Sequence, residues 1–229
     1  MKILLSIVLI VMILGCKNNS LKVIADKKKV PKSDLILKKE KENNNIKVQT
    51  FPVDFRRIEP DSVKKDFRTD SLEVNEAVWI NNTQLITGTI DGNNNGIHLI
   101  VKNKNNELIY MSKGQYDSWR YDLNLFKTEN SNKIILINEI GAEESWGVEV
   151  HEYSNGIYKE IGVMDIVAMN EYEESLSVVP FVKIKELENQ ILEFSFNKDV
   201  KIYDNQKEKS ISGEKVKYRF ENEKLDRVE

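Results

Sequence analysis

From Gln84 onward the chain is a succession of short β-branched and aromatic runs cut by Asn and Gly, a punctuation suited to antiparallel sheet. Such runs occupy residues 84–90, 96–101, 107–111, 119–126, 133–138, 147–153, 157–161, 177–184, 191–196, 200–203 and 216–220. Residues 147–153 alternate apolar and polar, and Ser154-Asn155-Gly156 then supplies a hairpin turn. No stretch carries a long helical period, although 171–176 and 185–189 have room for a helical turn. The expected fold class is all-β: an antiparallel β-sandwich or meandering barrel of about ten strands over residues 72–229. A propeller is disfavoured because each of at least four blades would have to be very compact. The strand–turn–strand units at 97–111, 148–161 and 191–203 are hairpins without a fixed repeat period.

The start of the chain speaks to address. Lys2 precedes an apolar run from Ile3 to Leu14, then Leu14-Gly15-Cys16. As a helix that run spans roughly 18 Å against a hydrocarbon core of about 30 Å, so it reads as a leader and not a membrane span. Ile13-Leu14-Gly15-Cys16 resembles the lipobox of bacterial lipoproteins. The resemblance implies cleavage after residue 15, lipidation of Cys16 and durable anchoring by three acyl chains. Cys16 is the only cysteine, so an intramolecular disulfide is excluded. Lys17 follows where an Asp would favour inner-membrane retention, so the resemblance points to the outer membrane, with periplasmic face and cell surface both open.

Residues 16–50 are expected to form a disordered tether, because Lys and Asn dominate and little can be buried against the ordering entropy. Leu35-Ile36-Leu37 is its one apolar island. Ten Lys against four acidic residues give residues 17–50 a charge of +6, leaving residues 51–229 at −10 within a chain total of −3. A basic stretch beside the lipid suits anionic head groups, and also serves as a solvated spacer. The acidic domain is not expected to bind nucleic acid. Residues 51–71, with Phe51, Val53, Phe55, Ile58, Val63 and Phe67 interrupted by Pro52 and Pro60, are expected to lie on the domain as an irregular arm.

Candidates for chemistry are few. His98 and His151 fall on the polar side of their strands and are expected to face solvent, away from any triad; neither a Gly-x-Ser-x-Gly nor a His-Glu-x-x-His motif occurs. Glu143, Glu144, Glu149, Glu152, Asp165, Glu171, Glu173 and Glu174 are numerous enough for a glycosidase pair. With charged residues at 31% of the chain, a solvated acidic surface explains them more simply. Asp91-Gly-Asn-Asn-Asn-Gly96 resembles the start of a calcium loop but has Leu99 and Lys102 at the ninth and twelfth positions, so it reads as a turn. No metal or cofactor is expected.

The best recognition candidate is Glu143, Glu144 and Trp146, an aromatic beside two carboxylates between two strands, with Tyr116, Trp119 and Tyr121 in the preceding connection and strand. Such a loop can stack on a sugar or anchor a protein contact, but Trp146 is more economically placed folded back as a cap on the core. The expected function is therefore non-enzymatic: a lipid-anchored envelope protein presenting an acidic β domain to a protein or glycan, in an accessory, adaptor or immunity-type role. The alternatives are a structural component of an envelope complex and, behind it, a carboxylate-dependent glycan hydrolase.

Overall fold

The computed structural model describes residues 50–228 other than 130, 173, 205 and 206. The leader, Cys16 and the tether lie outside the described residues. Three strands come from the segment expected to be irregular: β1 (Val53–Asp54), β2 (Arg56–Ile58) and β3 (Ser62–Arg68). Then follow β4 (Leu72–Ile80), β5 (Thr83–Ile90), β6 (Ile97–Lys102) and β7 (Leu108–Met111). With β3 they form an outer sheet in the order β3-β4-β5-β6-β7. A second meander of β8 (Arg120–Lys127), β9 (Ile134–Gly141), β10 (Ser145–Ser154) and β11 (Ile157–Met164) takes β2 beside β8 and forms the central sheet. The remainder is β12 (Ile166–Met169), β13 (Ser175–Leu176), β14 (Val182–Glu186), β15 (Leu192–Phe196), β16 (Val200–Asp204), β17 (Lys207–Ile211), β18 (Lys217–Glu221) and β19 (Lys224–Arg227). These build two closing sheets, β1-β14-β15-β18-β19 and β13-β12-β16-β17. Every pairing among the described residues is antiparallel, and none of them is α-helical; short 3₁₀ turns occur at 179–181, 188–190 and 213–215. The all-β expectation holds as a stack of sheets, with nineteen described strands where about ten were expected.

Strand β9 explains the stacking. Its Ile134-Ile135-Leu136-Ile137 run is inaccessible at every position, the pattern of a strand covered on both faces. Ile134 and Leu136 pack with Leu85, Leu99 and Val101 of the outer sheet. Ile135 and Ile137 pack on the opposite side with Ile184, Phe194, Phe196 and Val200 of the closing sheets. Each side chain so buried contributes about 1.5–3 kcal/mol. The arm is stitched into this stack by Phe55, which is buried in the second core while its N–H donates to the Ile184 carbonyl at 3.0 Å. Pro52 directly precedes β1 and Pro60 falls between β2 and β3, so the expected interruptions set strand ends without preventing strands. The hairpin at 154–157 forms as expected: Ser154 pairs with Ile157, and Asn155 (φ 52°) and Gly156 (φ 83°) take the left-handed conformations of a two-residue turn.

Two-sided burial of β9 has a direct consequence. Leu136→Ala and Ile137→Ala, although they empty into different cores, should each cost about 2–5 kcal/mol, while Ile157→Ala on the exposed end of β11 should be nearly neutral. Denaturant unfolding of the three variants checks this; a neutral Leu136→Ala or Ile137→Ala would mean one face of β9 is open.

Candidate functional site

The candidate site lies at one end of the central and outer sheets, where residues 112–119 cross from β7 to β8. Backbone bonds fix the crossing at both sides. Gln115 N–H donates to the Ile97 carbonyl at 2.9 Å and Trp119 N–H donates to the Gly141 carbonyl at 2.9 Å. The Ser118 hydroxyl adds a donated bond to the same Gly141 carbonyl at 2.8 Å and accepts the Gly141 N–H at 3.0 Å. Gly96 (φ 78°) is required beneath the crossing, because a Cβ there would strike the Gln115 carbonyl.

This arrangement brings the sequence-derived residues to one edge. Glu143 and Glu144 are exposed in the turn between β9 and β10, closed by Ala142 N–H donating to the Glu144 carbonyl at 3.1 Å. Trp119 follows that turn through its bond to Gly141. Tyr116 and Trp119 are each 73% exposed and Trp146 is 42% exposed. The expectation that Trp146 caps the core is thus corrected. It stands in the irregular step of register between Ser145 and Gly147, which turns its side chain away from both cores.

Behind this exposed edge the site is polar and buried. Glu149 on β10 accepts hydrogen bonds from Gln115 Nε2 and from the Tyr121 hydroxyl, while His151 Nε2 stands 3.4 Å away but out of hydrogen-bond alignment. Burial alone would raise the Glu149 carboxyl, but contacts to His151 and bonds from Tyr121 and Gln115 outweigh it and hold the group below the ordinary glutamate range. Tyr121 is pushed in the opposite direction, by burial first and then by the Glu149 charge. His151, 1% exposed, lies against Tyr158 and Tyr110 at ring separations of 5.3 and 6.1 Å. Both ring nitrogens of His151, the Asn138 amide and the Tyr158 hydroxyl have no aligned partner among the described residues.

The two histidines were expected at the surface, and both are buried. His151 lies inside because the polar face of β10 is turned toward the outer sheet, not toward water. His98 lies under the 91–96 turn: its Nδ1 donates to the Ser112 carbonyl at 2.9 Å and its Nε2 accepts from Asn93 Nδ2 at 3.2 Å, which fixes one neutral tautomer. The same turn spends its side chains internally. Asp91 receives Arg68 at 2.8 and 2.9 Å, and Asn93 Oδ1 accepts from Asn95 N–H at 3.0 Å. Among the described residues no three His, Cys, Asp or Glu side chains gather as a metal set.

The other carboxylates are dispersed. Glu152 lies 3.8 Å from Lys133, Glu174 accepts from Asn170 Nδ2 at 2.5 Å, Asp165 and Glu171 are exposed, and Glu173 lies outside the described residues. A pair the sequence reading missed is Asp122 and Glu139, opposite each other on β8 and β9. Arg120 pairs with buried Glu139 at 3.0 Å, while burial and then the Glu139 charge raise the Asp122 carboxyl. Comparison with family models, curated proteins and solved structures finds no match.

The depressed Glu149 carboxyl makes a pH prediction with a definite sign. Its bonds stabilise the native chain above the unfolded glutamate pKa, about 4.3, and are lost as pH falls through the lower native value. Glu149→Gln should therefore lower the melting midpoint by about 5 °C at pH 7, with the deficit shrinking toward pH 3. Thermal melts across that range check it; an unchanged deficit at pH 3 would remove Glu149 as the cause.

Proposed function

We propose that this chain is an envelope lipoprotein, anchored through lipid on Cys16, whose acidic β domain binds a basic protein partner. The observation that carries the reading is that Tyr116, Trp119 and Trp146 are all exposed at the end of the central sheet that also carries the exposed Glu143 and Glu144. Aromatic side chains left open at a rim are typical anchors of protein contacts, and neighbouring carboxylates raise the encounter rate with a positive partner. The −10 charge of residues 51–229 works in the same direction.

Placement supports the reading as well. The described chain begins beside Lys127 and Glu129, where Thr50 joins them in lining one surface cavity and Arg56 pairs with Lys127. Gly141 pairs with Arg120 at the other end of β8, about 25 Å away for an eight-residue strand. The exposed aromatics thus stand at the end of β8 away from Thr50. The assembly alternative, in which sheet edges join a larger complex, is less well supported. Edge strands β3, β17 and β19 carry Lys64, Lys65, Arg68, Lys207, Glu208, Lys209, Lys224 and Asp226, charges that discourage strand addition there, and the uncharged edge β7 is only four residues long.

Two measurements test the proposal. Cys16→Ser should abolish fatty-acid labelling and membrane retention; undiminished label with unchanged retention would remove the anchor. For binding, a partner recovered with the full-length lipidated protein should associate more slowly, with a flatter salt dependence, when Glu143 and Glu144 are both changed to Gln. Trp119→Ala should speed its dissociation by about 30-fold while leaving the melting midpoint within about 3 °C. Unaltered kinetics in both variants would move the binding face elsewhere.

A further inference from the structure

At the opposite end of the outer sheet, a groove of about 290 Å³ is lined by Trp79, Asn82, Gln84, Asn103, Lys104 and Asn106. We infer that it is a glycan-binding site, with Trp79 as the platform for one sugar ring and the surrounding amides as its hydrogen-bonding rim. It is separate from the aromatic–acidic end and takes a different class of ligand.

The sheet register assembles it. Trp79 pairs with Gln84 across β4 and β5, and Gln84 pairs with Lys102 across β5 and β6, so these side chains share one row on the outer face. Trp79 is half-buried, packed against the outer apolar cluster of Ala77, Ile86 and Ile100 while still lining the groove. That packing holds the indole in one place, as a stacking platform needs. The rim comes from two turns. Asn103 is committed to its own turn: its Oδ1 accepts from Asn105 and Glu107 N–H at 2.9 and 3.0 Å, and its Nδ2 donates to Glu107 Oε2 at 2.6 Å. Asn82 (φ 62°) and Asn106 (φ 64°) sit in left-handed conformations that aim the turns outward.

The free groups define the ligand chemistry. The side chains of Asn82, Gln84, Lys104 and Asn106 have no hydrogen-bond or ion-pair partner among the described residues. Three amides offer donors and acceptors in equal measure, which matches hydroxyls that both give and accept, and Lys104 adds a single positive charge. No carboxylate lines the groove, in contrast to the domain's net −10. A flat apolar ring face edged by hydroxyls therefore satisfies both floor and rim, and the volume, near the lower end of small-ligand sites of about 300–1,000 Å³, suits one sugar unit. Thr83 beside the groove bonds Tyr153 at 2.6 Å, and Tyr153 pairs with Ile134, next to Lys127 at the end where the described chain begins. The site does not depend on the anchored reading.

The test is a calorimetric binding titration of the full-length protein in detergent with chitohexaose, a neutral N-acetylated glycan, and with hexagalacturonate, an acidic one. A saturable change with at least one is expected. Trp79→Ala should weaken it by at least about tenfold. Because that change also touches the apolar cluster, Asn82→Gly with Asn106→Gly is the decisive variant: glycine keeps both left-handed turns, so melting should hold while affinity falls about 2–10-fold per amide. Lys104→Gln should weaken hexagalacturonate alone. No saturable change with either glycan, or affinity unaltered in the folded double variant, would overturn the site. Glycan binding together with undiminished fatty-acid label and unchanged membrane retention in Cys16→Ser would leave the site standing while the anchored reading fails.

Discussion

Strand β9 has no face turned to water, and the rest of the molecule follows from that constraint. Its first four residues place alternate side chains in two separate cores, so a sheet must lie against each side of the central sheet. The neighbouring β10 then has both faces enclosed, which puts Glu149 and His151 inside the protein instead of on its surface. A carboxylate in that position needs donors, and it obtains them from Tyr121 on the same sheet and Gln115 in the crossing loop. Ion-paired Lys133, 2.6 Å from buried Glu186, performs a similar role between the central and closing sheets.

The crossing loop links this interior to the surface proposed for recognition. Its backbone is bonded to Ile97 on one sheet and Gly141 on the other, and Gln115 reaches inward to Glu149. The exposed rings of Tyr116 and Trp119 are thereby carried on a segment held at three points, and little ordering entropy remains to oppose binding. The acidic turn of Glu143 and Glu144 is rigidly placed beside them for the same reason.

Much of this was legible from residues alone, and the failures have definite causes. Asn155-Gly156 announced its hairpin because only a left-handed pair closes a two-residue loop. The β-branched runs marked strand after strand. The histidines were misplaced because alternation in β10 was read as a wet face and a dry face. The adjacent uninterrupted run Ile134 to Ile137 was the signal that both faces are covered. Residues 51–71 were read as irregular from their prolines, whereas the charged run Lys64-Lys65-Asp66 between Val63 and Phe67 belongs to an edge strand that skips Asp66 in its pairing, and Phe55 is a core residue between two short strands. Trp146 defied its usual burial through a local shift of register, which no composition or spacing reveals. Cross-strand pairs such as Asp122 and Glu139, and the row of Trp79 and Gln84, depend on register and were equally hidden.

The central claim is that the end bearing Trp119 meets the partner while the rest of the surface does not. A photo-crosslinking residue placed at position 119 in cells, against the same residue at Ile157, which is 71% exposed on a hairpin at the other end of the central sheet, tests this directly. One adduct of defined mass from position 119, weakened by salt and missing from position 157, is the expected result. Adducts from 157 alone, or none from 119 in a cell that contains the partner recovered by binding, would contradict it.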